Sequence, residues 1–202
     1  MAKSKTEICN LAVSWLGGKH ITSVDDDPSK EARLCRANYD QSRQAVLEER
    51  EWTFAVKRAT LTPLSEEPLF GYNYKFLLPP DLLVTINAYD PADAGQKQPP
   101  GISHVREGNH LCADISQVNI KYIFDLTNTT KFSSLFSQTV AAHIAANIAV
   151  GLTENATQQE RMMVVYEDKL NKAISSDSLQ GSNERIETSQ LEKSRRMHVR
   201  PI

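Results

Sequence analysis

Two carboxylate clusters stand out as residues able to do chemistry, Asp25-Asp26-Asp27 and Glu48-Glu49 with Glu51. A pair of acids can hydrolyse a glycoside when an apolar pocket keeps one protonated while the other stays ionised. The enzyme class these residues allow is therefore a glycan hydrolase. Each cluster also has a simpler use. The first places negative charge at the positive end of a helix dipole, and the second suits a solvated or interface face. The five histidines (His20, His104, His110, His143, His198) are scattered, with no two spaced three or four apart on a helix. His143, on an apolar face, reads as a hydrogen-bonded core residue. Cys9, Cys35 and Cys112 show neither a CxxC nor a Cys/His zinc spacing, and three cysteines are too few for the disulfide framework of a small secreted domain. Cys9 and Cys35 fall on apolar helix faces and read as buried free thiols, which suits a reducing cytoplasm. The chain has no GxSxG, P-loop, GxGxxG or HExxH pattern. The expectation is a protein without catalytic, cofactor-binding or metal-binding residues.

Charge and composition narrow the partners. A formal net charge of −2 over 202 residues gives no global basic field to hold phosphates. DNA touching such a surface would slide past it, or would be touched only by a local patch. The N-terminal Met1-Ala2-Lys3-Ser4-Lys5-Thr6-Glu7 lacks the apolar core of a signal peptide. The longest apolar stretch, Val140 to Leu152, is interrupted by His143 and Asn147 and is short for a bilayer span. No membrane partner is expected.

Four helices are predicted to position these residues. The first covers Ser4 to Leu16, with Ile8, Leu11, Ala12, Trp15 and Leu16 as its apolar stripe and Gly17-Gly18 as its stop. The second starts at an Asp27 N-cap with Pro28 at the first helical position and runs to about Glu51. Its narrow stripe is Ala32, Cys35, Tyr39, Ser42 and Val46, with Arg33, Arg36, Arg43, Glu48 and Glu49 mostly beside it. From Trp52 the period shifts to an alternation that could be a strand or could close the helix. Prolines and Gly71 then break the chain too often for helices. Short strands fit Tyr74 to Leu78, Leu82 to Tyr89, Ile102 to Val105, His110 to Cys112 and Val118 to Phe124, with Glu107-Gly108-Asn109 as a hairpin turn. The alanine-rich third helix, Thr130 to Gly151, is expected at the centre of the packing. The fourth covers Thr157 to Ile174, with Met162, Met163, Tyr166, Leu170 and Ala173 inward.

The fold class is thus α+β, mainly α: an antiparallel helical bundle with an inserted small antiparallel β subdomain and an extended C-terminal arm. The divisions are 1–59 for helices one and two, 60–125 for the β subdomain, 126–174 for helices three and four, and 175–202 for the arm. Residues 175–202 are rich in Ser, Gln, Glu and Arg with isolated apolar residues, and cannot bury enough surface to fold alone. The last ten, 193–202, carry four Lys or Arg side chains and no acid.

The run Asp40-Gln41-Ser42-Arg43-Gln44, continuing to Trp52-Thr53-Phe54-Ala55-Val56-Lys57-Arg58-Ala59-Thr60-Leu61-Thr62-Pro63, resembles the tail tubular protein A family of short-tailed bacteriophages. Members carry a "YDQSR…WxFAxKRAxLxP" run after an "NxAL…LG" first helix, here Asn10 to Gly17. Tyr74 to Asp81, with Pro79-Pro80, fits as well. The resemblance extends more weakly over about 1–175. It implies a head-to-tail adaptor: a homo-oligomeric ring of twelve copies joining the portal protein to a tail nozzle protein of the tail tubular protein B type, around passing genomic DNA. The bundle would sit under the portal, the β subdomain would meet the nozzle, and the arm would dock on the portal. Such a protein is made in the host cytoplasm and resides in the virion tail. The expected arm contacts are Leu179, Ile186, Leu191, Arg195, Arg196, Met197, Val199, Arg200 and Ile202. The charges flanking helix two, Arg36, Arg43, Glu48 and Glu49, are expected at the boundary between subunits.

Overall fold

The structure, a computed structural model, describes residues 4–181. It is α+β. Four helices form one layer, and two three-stranded antiparallel sheets form two more.

Helix α1 spans Lys5–Trp15. Its start is fixed by a capping box: Ser4 Oγ accepts from the Glu7 N–H, and the Glu7 carboxylate accepts from the Ser4 N–H. Its end is fixed by Gly17 at φ +71°, with the Gly18 N–H donating to the Val13 carbonyl in a Schellman-type closure. A Cβ on Gly18 would lie 2.8 Å from a Val13 methyl and 3.0 Å from Leu152, so the turn also needs glycine for close packing. The buried face is Ile8, Cys9, Ala12 and Val13, turned from the predicted stripe; Leu11, Trp15 and Leu16 lie at its margin.

Helix α2 spans Lys30–Glu48 and is capped by Ser29, not by Asp27 as its sequence suggests. Asp27 folds the preceding loop instead. Its carboxylate accepts from the Thr22 N–H at 3.1 Å and the Ser29 N–H at 2.9 Å. Committed to that turn, it leaves the helix end to the next residue able to cap. The expected stripe of Ala32, Cys35, Tyr39, Ser42 and Val46 is buried, but it is wider than predicted, because Arg43 and Leu47 are buried with it.

Past α2, Trp52 is neither strand nor helix. It is buried, with its indole N–H on the Val46 carbonyl at 2.8 Å, and a 3-10 turn at Thr53–Ala55 leads into strand β1, Val56–Leu61. The β region therefore begins at Val56 rather than at residue 60. β2 is Tyr74–Leu77, β3 Leu82–Tyr89, β4 His104–Glu107, β5 His110–Ala113 and β6 Val118–Phe124. Gly108, at φ +58°, makes the β4–β5 hairpin turn. The first sheet has the order β1-β6-β3 and the second β2-β5-β4. Alternation along β6 places Val118, Ile120 and Tyr122 against the second sheet in a small core with Phe76 and Leu111, while Ile123 faces the helices. The first sheet is thus the middle layer. The sheets are joined at both edges, through a Pro63–Phe76 bridge beside β1 and a Tyr89–Gly101 bridge beside β3.

Helix α3, Ser134–Thr153, starts later than predicted, since 129–131 form a separate 3-10 turn and Ser133 supplies the cap. It packs against α1, α2 and α4. Its alanines at 141, 142, 145, 146 and 149 are all fully buried, so neighbouring helices can approach on several sides. By length and hydropathy α3 could cross a membrane, but it is the buried core helix of the layer. Glu154, at φ +55°, turns the chain into helix α4, Ala156–Gly181. Met162, Tyr166, Leu170 and Ala173 pack inward; Met163, expected with them, is 40 % exposed because it sits one step round the helix. α4 extends seven residues past the predicted end at Ile174, so 175–181 belong to the helix and not to the arm.

Because α3 is enclosed by alanine-sized contacts, enlarging one should strain the layer. Ala145→Leu is expected to lower stability by about 1–3 kcal/mol in urea unfolding, with no gain in midpoint from its added apolar area.

Candidate assembly surfaces and the joint behind them

The best-defined polar constellation is internal. Arg43, 2 % exposed, reaches from α2 to the end of β6. Its guanidinium pairs with the Asp125 carboxylate, donates to the Leu126 carbonyl at 3.0 Å, and pairs with Asp40 at 3.2 Å. Gln44 Nε2 donates to the other Asp125 oxygen at 3.1 Å. Burial acts against the charge on Arg43, but hydrogen bonding and attraction from Asp125 outweigh it and hold the guanidinium charged. Burial likewise opposes ionisation of Asp125, and its hydrogen bonds from Arg43 and Gln44 prevail, so its carboxyl lies below the usual range. The Arg43 Nε–H finds no partner. The assignment of Arg43 to a boundary between subunits is therefore corrected. A guanidinium enclosed by its own chain has no donors facing outward.

Aromatic packing supports the same joint. Trp52, Phe54 and Phe132 each meet Phe136 edge to face, at 5.1, 5.0 and 4.8 Å between ring centroids. α4 closes it from the other side. Asp177, 5 % exposed, accepts from the Thr53 hydroxyl at 2.7 Å and the Thr53 N–H at 3.2 Å. Arg50 donates to the Ile174 carbonyl and the Ser178 hydroxyl. The first turns of the expected arm are thus packed on their own chain. Composition could not reveal this, because Asp177 resembles a solvated residue until Thr53 is brought to it.

The other expected boundary residues are at the surface. Glu48 and Glu49 are exposed, and Glu49 accepts from the Tyr166 hydroxyl at 3.4 Å. Arg36 is exposed but engaged within the chain, donating to the Val24 carbonyl at 2.8 Å and the Asp27 carbonyl at 3.2 Å. Of the expected arm contacts, Leu179 lies in the last turn of α4 and is 84 % exposed. Ile186, Leu191, Arg195, Arg196, Met197, Val199, Arg200 and Ile202 lie outside the described residues.

The carboxylate clusters do not meet. Asp27 precedes α2 and Glu48 ends it, so about 28 Å of helix separates them, against a separation of about 5–10 Å between glycosidase acids. Asp25 pairs with Lys5, Asp26 accepts from Ser23, and Glu51 pairs with Lys121. His143 is half-buried, contacts Asn147 at 3.2 Å and meets Tyr166 edge to face, and burial lowers its pKa. Cys9 and Cys35 are buried and free; the Cys9 thiol is pushed up by its hydrogen bond to Cys35 and by burial. Among the described residues no group of His, Cys, Asp or Glu is arranged to hold a metal ion.

Sequence reasoning missed the two most exposed large apolar side chains among the described residues. Leu69 and Phe70, at the apex of the 62–73 loop between β1 and β2, are 98 % and 86 % exposed. Two large apolar residues between Pro68 and Gly71, outside any strand alternation, were the available signal. The chain matches no family model and no curated protein.

Two outcomes follow from the joint and the capped loop. Arg43→Ala leaves Asp125 and the Leu126 carbonyl without their donor. It should cost about 3 kcal/mol in urea unfolding, the lower end for a broken buried pair because Asp125 is 25 % exposed. Asp27, whose pKa falls from 3.8 to about 2 chiefly through hydrogen bonds from Ser29, stabilises the fold when ionised. That contribution is complete above the unfolded value and disappears as pH falls through about 2. The stability difference between the native chain and Asp27→Asn should accordingly be constant above about pH 4 and shrink below it, measured by urea midpoints across pH.

Proposed function

We propose that this protein is a structural virion component, a ring-forming head-to-tail adaptor that joins the portal to the tail nozzle and lines part of the DNA ejection channel. In this reading the four helices are a bundle seated under the portal, the two sheets face the nozzle, and the chain beyond α4 is a docking arm. The observation that carries it is the placement of bare apolar residues. Leu69 and Phe70 project from a loop between the two sheets, while Leu179, 84 % exposed, and Val164, 66 % exposed, lie on α4. Large apolar side chains left in water at separate places suit a protein covered from more than one side.

The resemblance to the tail tubular protein A family agrees with this. The residues that carry it, from Asp40 through Trp52 and Phe54, are those that fasten helices to sheets through Arg43–Asp125 and the aromatic cluster. A connector under load from packaged DNA has reason to keep such a joint. The near-neutral charge lets a phosphate backbone pass without being held. Twelve arms, each weak, would hold collectively through effective concentration once the first is engaged.

The test separates fold from assembly. Because Asp177 and Ser178 belong to the joint, the arm is removed after Gly181 and not after Ile174. The shortened chain should keep the native unfolding midpoint yet fail to decorate purified portal rings, whereas the full chain should add twelve copies per ring by electron microscopy. Full decoration by the shortened chain would overturn the arm, and no binding by the full chain would overturn the adaptor.

A further inference from the structure

The outer face of the middle sheet is covered by helices only at its Ile123 end. Toward the other end, Arg58 stands opposite Lys121 and Thr60 opposite Asn119, with all four side chains on the face away from the second sheet. The 90–101 loop folds over them from the β3 edge, leaving a cleft of about 780 Å³ walled by Lys97, Pro99 and Tyr89. That volume lies within the range of well-formed binding pockets, about 300–1,000 Å³. Lys121 is paired with Glu51, but Arg58 and Lys97 are exposed and join no ion pair among the described residues. The cleft sets Arg58, Lys97 and Lys121 against one acid, Asp90, and offers aliphatic stems, a proline and a tyrosine ring as apolar wall.

The chain itself carries a segment of matching chemistry. In Ser65-Glu66-Glu67-Pro68-Leu69-Phe70, Leu69 and Phe70 are almost wholly in water. Glu66 is held by Lys75 at 3.3 Å, which leaves Glu67 exposed beside the apolar apex. This loop leaves from the β1/β2 edge of the two sheets, and the loop roofing the cleft belongs to the β3/β4 edge. The cleft spans the middle sheet from Arg58 on β1 to Tyr89 on β3, on the face away from the second sheet, whereas the segment runs from β1 into the second sheet, so the two are different patches of one subunit. Their contact between two copies is head-to-tail, the type that closes a ring or grows a filament.

We propose that the Leu69–Phe70 loop of one copy seats in the cleft of the next, with Glu67 against Arg58 and Lys97 and the Phe70 ring on the Arg58 guanidinium face. The partner is thus a second copy of this chain, and the inference rests on the ring reading. Charge opposition fixes the register, and burial of the two apolar side chains holds the contact.

The test uses the full chain with Phe70→p-benzoylphenylalanine, mixed with isotopically heavy native chain, alone at rising concentration and on portal rings. Photo-crosslinks from position 70 to the Arg58 or Lys97 peptides of a heavy copy are the expected result. Arg58→Glu or Glu67→Arg alone should lower crosslink yield about tenfold or more, and the two together should restore it. Rings that form on the portal with position 70 crosslinked elsewhere, or not at all, overturn this inference and leave the adaptor reading standing. Yields unchanged by the single reversals overturn it too. Failure of copies to associate in either setting removes both.

Discussion

A guanidinium held at 2 % exposure inside a chain of this size must have its charge answered where it lies, and the positions of its partners then constrain everything around them. Arg43 sits on the inner face of α2, and its partners come from two places. Asp40 lies one turn back on the same helix, and Asp125 with the Leu126 carbonyl lies where β6 runs into α3. The helix cannot rotate or slide without stranding a buried charge. The end of β6 cannot shift without exposing the pair to a different register. Packing alone would tolerate small movements between helix and sheet, and this pair does not.

Around that point the aromatic cluster adds area and shape. Trp52, Phe54, Phe132 and Phe136 fill the angle between α3 and the start of β1, in edge-to-face contacts that favour one arrangement over a sliding one. Asp177 then draws α4 onto the same corner by satisfying the Thr53 hydroxyl and N–H. Three helices and the middle sheet consequently share one fixed corner, while the second sheet is attached through a smaller core of its own. Leu69 and Phe70, almost wholly in water, lie outside that corner in the loop between β1 and β2.

Much of this organisation was legible in residue pattern. The alternation of Val118, Ile120, Tyr122 and Phe124 and the run from Leu82 to Tyr89 match β6 and β3 at both ends. Gly17, in the left-handed region, and the Ser4–Glu7 pair bound α1 by purely local chemistry. The α2 cap was misread for a local reason as well. Asp27 and Ser29 are both competent caps, and only the path of the loop, which needs Asp27 for the Thr22 and Ser29 N–H groups, decides between them. Met163 fell from the buried face because one step on a helix is a rotation of about 100°, enough to move a side chain from core to water.

What the sequence determined by itself was therefore whatever depends on neighbours along the chain: helix ends, strand alternation, the hairpin at Gly108 and the alanine-rich character that admits close packing around α3. Tertiary structure decided the roles of the charged residues. Arg43 reads as a surface charge beside an apolar stripe until Asp125, 82 positions away, is brought to it. Asp177 reads as part of a tail until Thr53 arrives from 124 positions away. The physical reason is common to both. A charge is affordable in the interior only where an opposing group meets it, and that meeting is a property of the folded chain and not of any window of its sequence.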